Sequence, residues 1–285
     1  MLTVRHGIAA SPLRAPRDDS SLWILGHTRI FAFVPFVSFV VNFFLTLVLA
    51  VVASSAFAQA DYAREQRWAE EIIPAILVGD PVQLELATGR KFLGIYAPAR
   101  AGGPAVVVIH GLGVHPDWSL VNALRSQLAD QGYATLSIQM PVLAADAKAE
   151  QYPPVFPEAA ERIAAAARFL RSRGHAKVAA VSHSVGARMT NYYVEHAAAP
   201  ALDAWVAVGI TTPYSGAERF RLPVLDIYGE RDFPAVRDNA PARAESLRRA
   251  RGSAQIEVPG ADHFFSGHES ELVRHIKRFL DQKLR

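Results

Sequence analysis

The chain has 285 residues, 51% of them hydrophobic, which is enough to bury the core of one sizeable domain. Its 30 basic and 27 acidic side chains leave a formal net charge of only +3, so composition gives no basic face for nucleic acid, and we predict no nucleic-acid partner. The absence of cysteine excludes a structural disulfide.

The first 58 residues carry an export pattern. An arginine-containing leader precedes an almost wholly apolar run from Ile30 to Ala53, and Ala56-Phe57-Ala58 has the A-x-A form of a cleavage site. The run is longer than a usual signal-peptide core and long enough to cross a bilayer, which takes about 20 residues. We predict a signal peptide or N-terminal membrane anchor at 1-58 and a periplasmic or otherwise extracytoplasmic domain at 59-285. An uncleaved segment would anchor this domain in the inner membrane.

A helix and a hairpin are predicted to open the domain. Tyr62 to Leu77 has apolar residues at helical spacing, and Pro74 is expected to kink or end this helix. Val82 to Leu86 alternates with a period of two, and Lys91 to Ala97 follows after Gly89, which predicts an antiparallel hairpin.

Strands and helices alternate through the rest of the chain. Strands are predicted at Ala105 to Ile109, Ala134 to Gln139, Val178 to Val181, Ala204 to Val208, Leu222 to Tyr228 and Ala254 to Val258, and helices at Ser119 to Gln131, Glu158 to Arg173, Ala187 to His196, Pro241 to Arg249 and Ser270 to Lys283. Repeated β-α units predict an α/β fold with a mostly parallel sheet and helices on both faces.

The most informative stretch is Ser182-His183-Ser184-Val185-Gly186, which lies between a predicted strand and a predicted helix. A serine at the apex of such a turn is typical of a nucleophile elbow, which raises Oγ above the sheet. Ser184 is therefore the predicted nucleophile, although Ser182 stands where glycine is usual. A serine nucleophile also needs a base, a carboxylate that orients the base, and donors for the oxyanion.

Asp232 is the predicted acid, because it follows the strand Leu222 to Tyr228 and its terminal Gly229. Loops at the carboxyl ends of parallel strands carry the active-site residues of open α/β sheets. Asp226 is the alternative, but it lies inside the strand.

His263 is the predicted base, because it follows the strand Ala254 to Val258 and comes after both Ser184 and Asp232. Ser, Asp, His is the chain order of hydrolases that have a nucleophile elbow. His268 is the alternative base.

The oxyanion donors are predicted to be the backbone amides of Leu112 and Val185. Leu112 belongs to His110-Gly111-Leu112-Gly113, directly after an early strand, and Val185 follows the nucleophile. His110 is expected to anchor this loop. Neither a metal nor a cofactor is predicted, because no cysteine or carboxylate cluster at metal spacing accompanies His110 and His115.

These motifs resemble the α/β-hydrolase superfamily from about Val82 to the C-terminus. Within it, the runs at 109-118 (IHGLGVHPDW) and 135-141 (TLSIQMP) resemble a family of exported bacterial α/β-hydrolase-like proteins of unknown function. The resemblance implies the α/β-hydrolase fold and a serine-hydrolase triad, carried here to Ser184, Asp232 and His263, and it says little about the substrate.

We therefore expect an exported serine hydrolase that cleaves an ester or related acyl bond of a small-molecule or lipid-like substrate. Acyl transfer by the same triad is one alternative, and a non-catalytic hydrolase-like envelope binding module is another, since a fold does not guarantee chemistry. No large lid is expected, because Gly209 to Arg221 is a short connection. The segment Pro141 to Pro157, with Tyr152 and Phe156, is expected to overhang the site and to influence selectivity.

Overall fold

The computed structural model describes residues 59–99 and 103–284. The predicted export segment, including the apolar run at 30–53 and the cleavage pattern at 56–58, lies outside these residues. Within the described part of the chain, no helix is both long enough and apolar enough to cross a membrane.

The described residues form a sheet with helices around it. The strands are β1 (Asp80–Glu85), β2 (Lys91–Ala97), β3 (Ala105–Ile109), β4 (Ala134–Ile138), β5 (Val178–His183), β6 (Ala204–Val208), β7 (Val224–Arg231) and β8 (Ala254–Asp262). The α-helices are α1 (Tyr62–Ile72), α2 (Ser119–Asp130), α3 (Phe156–Ser172), α4 (Val185–His196), α5 (Pro234–Asp238), α6 (Ala240–Leu247) and α7 (Glu269–Leu284). Short 3-10 turns lie at Ile73–Ala75, Ala149–Gln151, Pro153–Val155 and Ala217–Arg219.

The strands form one sheet in the order β1-β2-β4-β3-β5-β6-β7-β8. The pairs β1–β2 and β2–β4 are antiparallel, and every later pair from β4 to β8 is parallel. The prediction of a mostly parallel sheet that starts with an antiparallel hairpin is confirmed. The carboxyl ends of the six parallel strands consequently lie along one edge of the sheet, where sites of open α/β folds form.

Both faces of the sheet are covered, which explains the continuous apolar runs in its central strands. In β3, Val107 and Ile109 belong to the core that α3 and α4 share, whereas Val106 and Val108 belong to the core that α2 and α7 share. Successive side chains of a strand point to opposite faces, so one apolar run supplies both cores.

Element ends differ from the predictions where backbone pairing continues past polar residues. β7 extends to Arg231 and β8 to Asp262, because these two residues still pair across a register irregularity. The helix α1 ends at Ile72, one turn before its predicted end, since Pro74 starts a tighter turn, as expected of proline. The short helix α5 was not predicted.

Two connections at the carboxyl edge of the sheet bear on the access to the site. The segment between β6 and β7 contains only one 3-10 turn, so no large lid is inserted there. The expectation that Tyr152 and Phe156 offer apolar contacts over the site is wrong. Both side chains are buried in the main core, and the Tyr152 hydroxyl accepts a hydrogen bond from the Leu143 amide at 3.2 Å.

Candidate active site

Ser184 lies at the apex of the turn between β5 and α4, with a backbone φ of 56° and ψ of −122°. This conformation is strained for a residue with a side chain and is typical of a nucleophile elbow. The turn is held by a hydrogen bond from the Ser184 amide to the Val208 carbonyl at 2.9 Å. Glycine is required at 186, because a Cβ there would lie 2.2 Å from the His110 carbonyl oxygen.

Ser182, which departs from the usual glycine, has partners of its own. Its Oγ accepts a hydrogen bond from Trp205 Nε1 at 2.7 Å and lies 3.4 Å from the Val206 carbonyl oxygen. The hydroxyl is therefore buried and satisfied beneath the elbow, and the extra side chain is accommodated without displacing Ser184.

The structure brings Ser184, His263 and Asp232 together from the ends of three parallel strands. His263 Nε2 lies 3.0 Å from Ser184 Oγ, and His263 Nδ1 lies 2.6 Å from Asp232 Oδ1. Because a carboxylate only accepts, Nδ1 carries the proton and Nε2 is free to accept the serine hydroxyl proton. Asp232 and His263 are each 3% exposed, so bulk water competes little for these hydrogen bonds.

The two alternative residues lie in other environments. Asp226 is inside β7, where its Oδ2 accepts hydrogen bonds from Arg243 Nε at 2.9 Å and Gln255 Nε2 at 2.6 Å. His268 Nδ1 donates to the Ser266 carbonyl at 3.2 Å. Neither residue belongs to the hydrogen-bonded chain that ends on Ser184.

The loop predicted to supply oxyanion donors lies against the nucleophile. A Cβ at Gly111 would be 3.1 Å from Ser184 Cβ, so the glycine allows the loop to approach this closely. Val185 is the first residue of α4, where a backbone amide has no partner within the helix. The loop that carries Leu112 and the first turn of α4, which begins at Val185, therefore both lie beside the serine.

His110 fixes the orientation of this loop. Its Nδ1 donates to the Gly111 carbonyl at 2.9 Å, and its Nε2 accepts from the Met140 amide at 2.8 Å. Burial lowers the pKa of His110 to about 3, so the ring stays neutral and its tautomer is set by these two contacts. Because the peptide group is planar and trans, holding the Gly111 carbonyl back turns the Leu112 amide to the opposite side.

Helix α1 braces the same loop from outside, which the sequence did not reveal. Arg64 donates from Nη2 to the Gly113 carbonyl at 3.1 Å and from Nη1 to the Leu143 carbonyl at 2.8 Å. The next residue, Glu65, forms an ion pair with the fully buried Arg162, with 2.8 Å between Glu65 Oε2 and Arg162 Nη1. The first helix after the predicted export segment thus helps to position the candidate site.

The imidazole of His263 is enclosed by Phe233, His183 and Gly209, of which sequence reasoning assigned only His183 a packing role. Phe233 stacks on one side with a centroid separation of 4.1 Å, and His183 lies at 4.7 Å. His183 Nε2 donates to the His263 carbonyl at 2.9 Å. Burial, and to a smaller extent the charge of the nearby His263, lowers the pKa of His183 to about 4. Gly209, with φ of 59°, approaches so closely that a Cβ would lie 3.1 Å from the His263 ring.

A weak signal existed for these neighbours. Phe233 directly follows the predicted acid and Gly209 directly follows β6, so both lie at the edge of the sheet where the site was expected. Their sequence positions do not show that they contact His263. Among the described residues, no group of three or more His, Asp or Glu side chains is arranged to hold a metal ion.

The sheet order, the elbow and the lack of an inserted lid in the described segment between β6 and β7 define an α/β-hydrolase fold, and solved structures bear this out. The chain is similar to dienelactone hydrolase from Anabaena variabilis, with 20% identity, a TM-score of 0.59, and coverage of 72% of this chain and 97% of the other. It is similar to a protein of unknown function from Agrobacterium tumefaciens, with 20% identity, a TM-score of 0.58, and coverage of 72% and 96%.

A third similar structure is a serine hydrolase without a lid from Xanthomonas campestris, with 15% identity, a TM-score of 0.57, and coverage of 73% of this chain and 96% of the other. At these identities the similarity concerns the fold alone. The chain belongs to the family of proteins of unknown function DUF3530, whose model matches residues 40–160 and 145–282. A comparison with curated protein sequences finds no match.

Proposed function

We propose that this protein is a serine hydrolase that cleaves an ester or related acyl bond through an acyl-enzyme on Ser184. The observation that carries the proposal is the hydrogen-bonded chain from Asp232 through His263 to Ser184, with the serine on a strained elbow. The relatives of the same fold support it, since their names include a dienelactone hydrolase and a serine hydrolase.

In the acylation step, His263 Nε2 takes the proton of Ser184 Oγ while Oγ bonds to the carbonyl carbon of the ester. The carbonyl oxygen becomes an oxyanion, which the amides of Leu112 and Val185 stabilise. Asp232 holds the protonated imidazole in place. The bond to the alcohol oxygen then breaks, and that oxygen takes the proton from His263 as the alcohol leaves.

Deacylation repeats these steps with water. His263 removes a proton from water, the resulting oxygen attacks the acyl carbon, and Ser184 recovers its proton as the carboxylic acid leaves. His183 stays neutral through the cycle, because its pKa of about 4 is well below physiological pH. The neighbouring ring therefore adds no positive charge that would oppose protonation of His263.

Labelling with a fluorophosphonate probe tests this proposal directly. We expect mass spectrometry to place the adduct on the Ser184 peptide, and Ser184→Ala to remove both labelling and ester hydrolysis while leaving the fold intact. Ser182→Ala is the matched control, because this neighbouring hydroxyl is buried against Trp205. An adduct on Ser182, or no adduct on folded protein, would refute the assignment.

Export is a second part of the proposal. The export pattern in residues 1–58 supports a location of the domain at 59–285 outside the cytoplasm, either released or attached to the membrane by the N-terminal segment. Cell fractionation with N-terminal sequencing distinguishes the two forms. Protein that begins near Gln59 indicates cleavage, membrane protein that retains the leader indicates an anchor, and full-length cytoplasmic protein contradicts both.

A further inference from the structure

Exposed apolar side chains are concentrated at the candidate site. In the described part of the chain, the exposed large hydrophobic residues are Ile73, Leu77, Leu112, Phe233 and Phe264. Three of these belong to the site, because Leu112 lies in the oxyanion loop, Phe233 follows the acid and Phe264 follows the base. A contiguous exposed apolar surface marks a place where a ligand or partner binds.

The aromatic residues form a continuous wall beside His263, which we call the aromatic wall and define as Trp118, Phe233 and Phe264. Phe233 stacks on the imidazole at 4.1 Å with an interplanar angle of 26°, and Phe264 meets it edge-on at 5.1 Å and 77°. The two phenylalanine rings contact each other at 6.1 Å, and Trp118 packs edge-on against Phe264 at 5.6 Å.

The wall is held in place before any substrate arrives. The side chain of Phe265 is fully buried, with a backbone φ of 53°, whereas its neighbour Phe264 is exposed. The Asp262 carboxylate accepts hydrogen bonds from the amides of Phe264 and Ser266, each at 2.9 Å. Phe233 and Phe264 nevertheless remain 48% and 41% exposed, so each is accessible to a ligand at little cost in ordering.

The orientation that the proposed reaction requires of a bound ester determines which part of the ester contacts the aromatic wall. The leaving alcohol oxygen must reach His263 Nε2 to receive its proton, whereas the carbonyl oxygen must point to the Leu112 and Val185 amides. The group attached to the alcohol oxygen therefore emerges beside the rings that flank the imidazole. Apolar rings favour an apolar partner there, and planar aromatic groups pack on them edge-on or in offset stacks.

We propose that the aromatic wall binds the alcohol part of the substrate, and that this protein prefers esters of aromatic or arylalkyl alcohols over esters of short aliphatic alcohols. This inference rests on the proposed function, because it uses His263 as the donor to the leaving group. The inference concerns only the alcohol part of the ester and predicts no preference for the acyl part.

Two isomeric esters test the direction. Benzyl acetate carries its ring on the alcohol side, and methyl phenylacetate carries the same ring on the acyl side. We expect kcat/KM for benzyl acetate to exceed that for methyl acetate by about tenfold or more, as burial of an apolar group in a pocket does. Phe233→Ala and Phe264→Ala should each lower the ratio of kcat/KM for benzyl acetate to kcat/KM for methyl acetate several-fold. Leu77→Ala, an exposed residue outside the wall, is the control.

The possible failures are distinguishable. If both phenylalanine variants lower benzyl acetate and methyl acetate equally, the rings only position His263, and the inference is wrong. If the variants instead lower kcat/KM for methyl phenylacetate and not for benzyl acetate, the wall contacts the acyl part, and the inference is again wrong. Saturation-transfer NMR can measure the binding of benzyl acetate to the Ser184→Ala variant, so this test needs no turnover. Binding that Phe233→Ala weakens, without hydrolysis by the native protein, would refute the proposed function and keep the binding site.

Discussion

Two buried aspartates near the end of β7 have different surroundings. Asp226, inside the strand, is fully buried and pairs with Arg243, itself fully buried. Asp232, just beyond the strand, is equally inaccessible but has an imidazole as its partner. Arginine stays charged under all ordinary conditions, whereas histidine gains and loses a proton near neutral pH. The interior carboxylate therefore has a fixed charge partner, and the one at the sheet edge has a partner that can move a proton.

The comparison shows how position along a strand separates structural from chemical roles. Burying an ion pair is not in itself a large stabilisation, but removing one partner leaves an uncompensated charge that costs about 3–5 kcal/mol. Asp226 should therefore matter to folding. Asp232 should matter to turnover, because the group it orients is the one that contacts Ser184.

The largest effect should come from His263→Ala, which removes the group that connects the edge carboxylate to the nucleophile. We expect kcat to fall by roughly 10⁴-fold to 10⁶-fold, with residual activity from the oxyanion donors and binding alone. Steady-state hydrolysis of an ester substrate measures this. His268→Ala is the matched control and should remain nearly fully active, and the reverse pattern would move the base to His268.

Asp232→Asn should have the next largest effect on activity. An amide at this position can donate to Nδ1, which stabilises the wrong imidazole tautomer and leaves Nε2 protonated toward Ser184. We expect kcat to fall by roughly 10⁴-fold, with a thermal midpoint close to that of the native protein. Near-native turnover in a folded Asp232→Asn variant would contradict the proposed role.

Asp226→Asn tests the other half of the comparison. The Arg243 guanidinium would then be buried without a counter-charge, and we expect the free energy of unfolding to fall by about 3–5 kcal/mol. Activity per folded molecule, counted by titration with the fluorophosphonate probe, should stay near native. If Asp226→Asn instead abolishes turnover in a stable protein while Asp232→Asn does not, the two roles are exchanged.

The sequence predicts which residues meet at the site, because active-site residues of an open α/β sheet lie at the carboxyl ends of its parallel strands. This rule depends only on the order of strands and helices. Ser184, Asp232 and His263 follow strands of the parallel sheet, so finding those strands was enough to group the residues. Boundaries were less predictable, since β7 and β8 continue by backbone pairing between Arg231 and Asp262, which apolar patterning does not register.

The sequence could not predict which way individual side chains point. Phe264 is exposed, whereas Phe265 is buried and has a positive φ, and no pattern in the sequence distinguishes the two neighbours. The same limit produced the wrong expectation for Tyr152 and Phe156, whose loop position indicated exposure. Their side chains instead fill the core beneath the segment. Selectivity is therefore better sought at Phe233 and Phe264.

The smallest effect concerns acid stability, where the two regions should again differ. Burial lowers the pKa of His183, beside the edge carboxylate, to about 4, whereas a histidine in the unfolded chain has a pKa of about 6.5. The unfolded state therefore binds the proton first as pH falls, so this contribution to stability is complete above about pH 6.5 and is lost as pH falls toward 4. The shift corresponds to at most about 3 kcal/mol.

Chemical denaturation at a series of pH values between 7 and 4 measures this loss. His183→Gln places an amide nitrogen near the position of Nε2, so it can keep the hydrogen bond to the His263 carbonyl without a titrating ring. We expect this variant to lose less stability than the native protein over the same range, because its side chain takes up no proton in the unfolded state. His196→Gln, at an exposed position, is the matched control for replacing a histidine by glutamine. If both variants follow the native curve, His183 is not the source of the acid sensitivity.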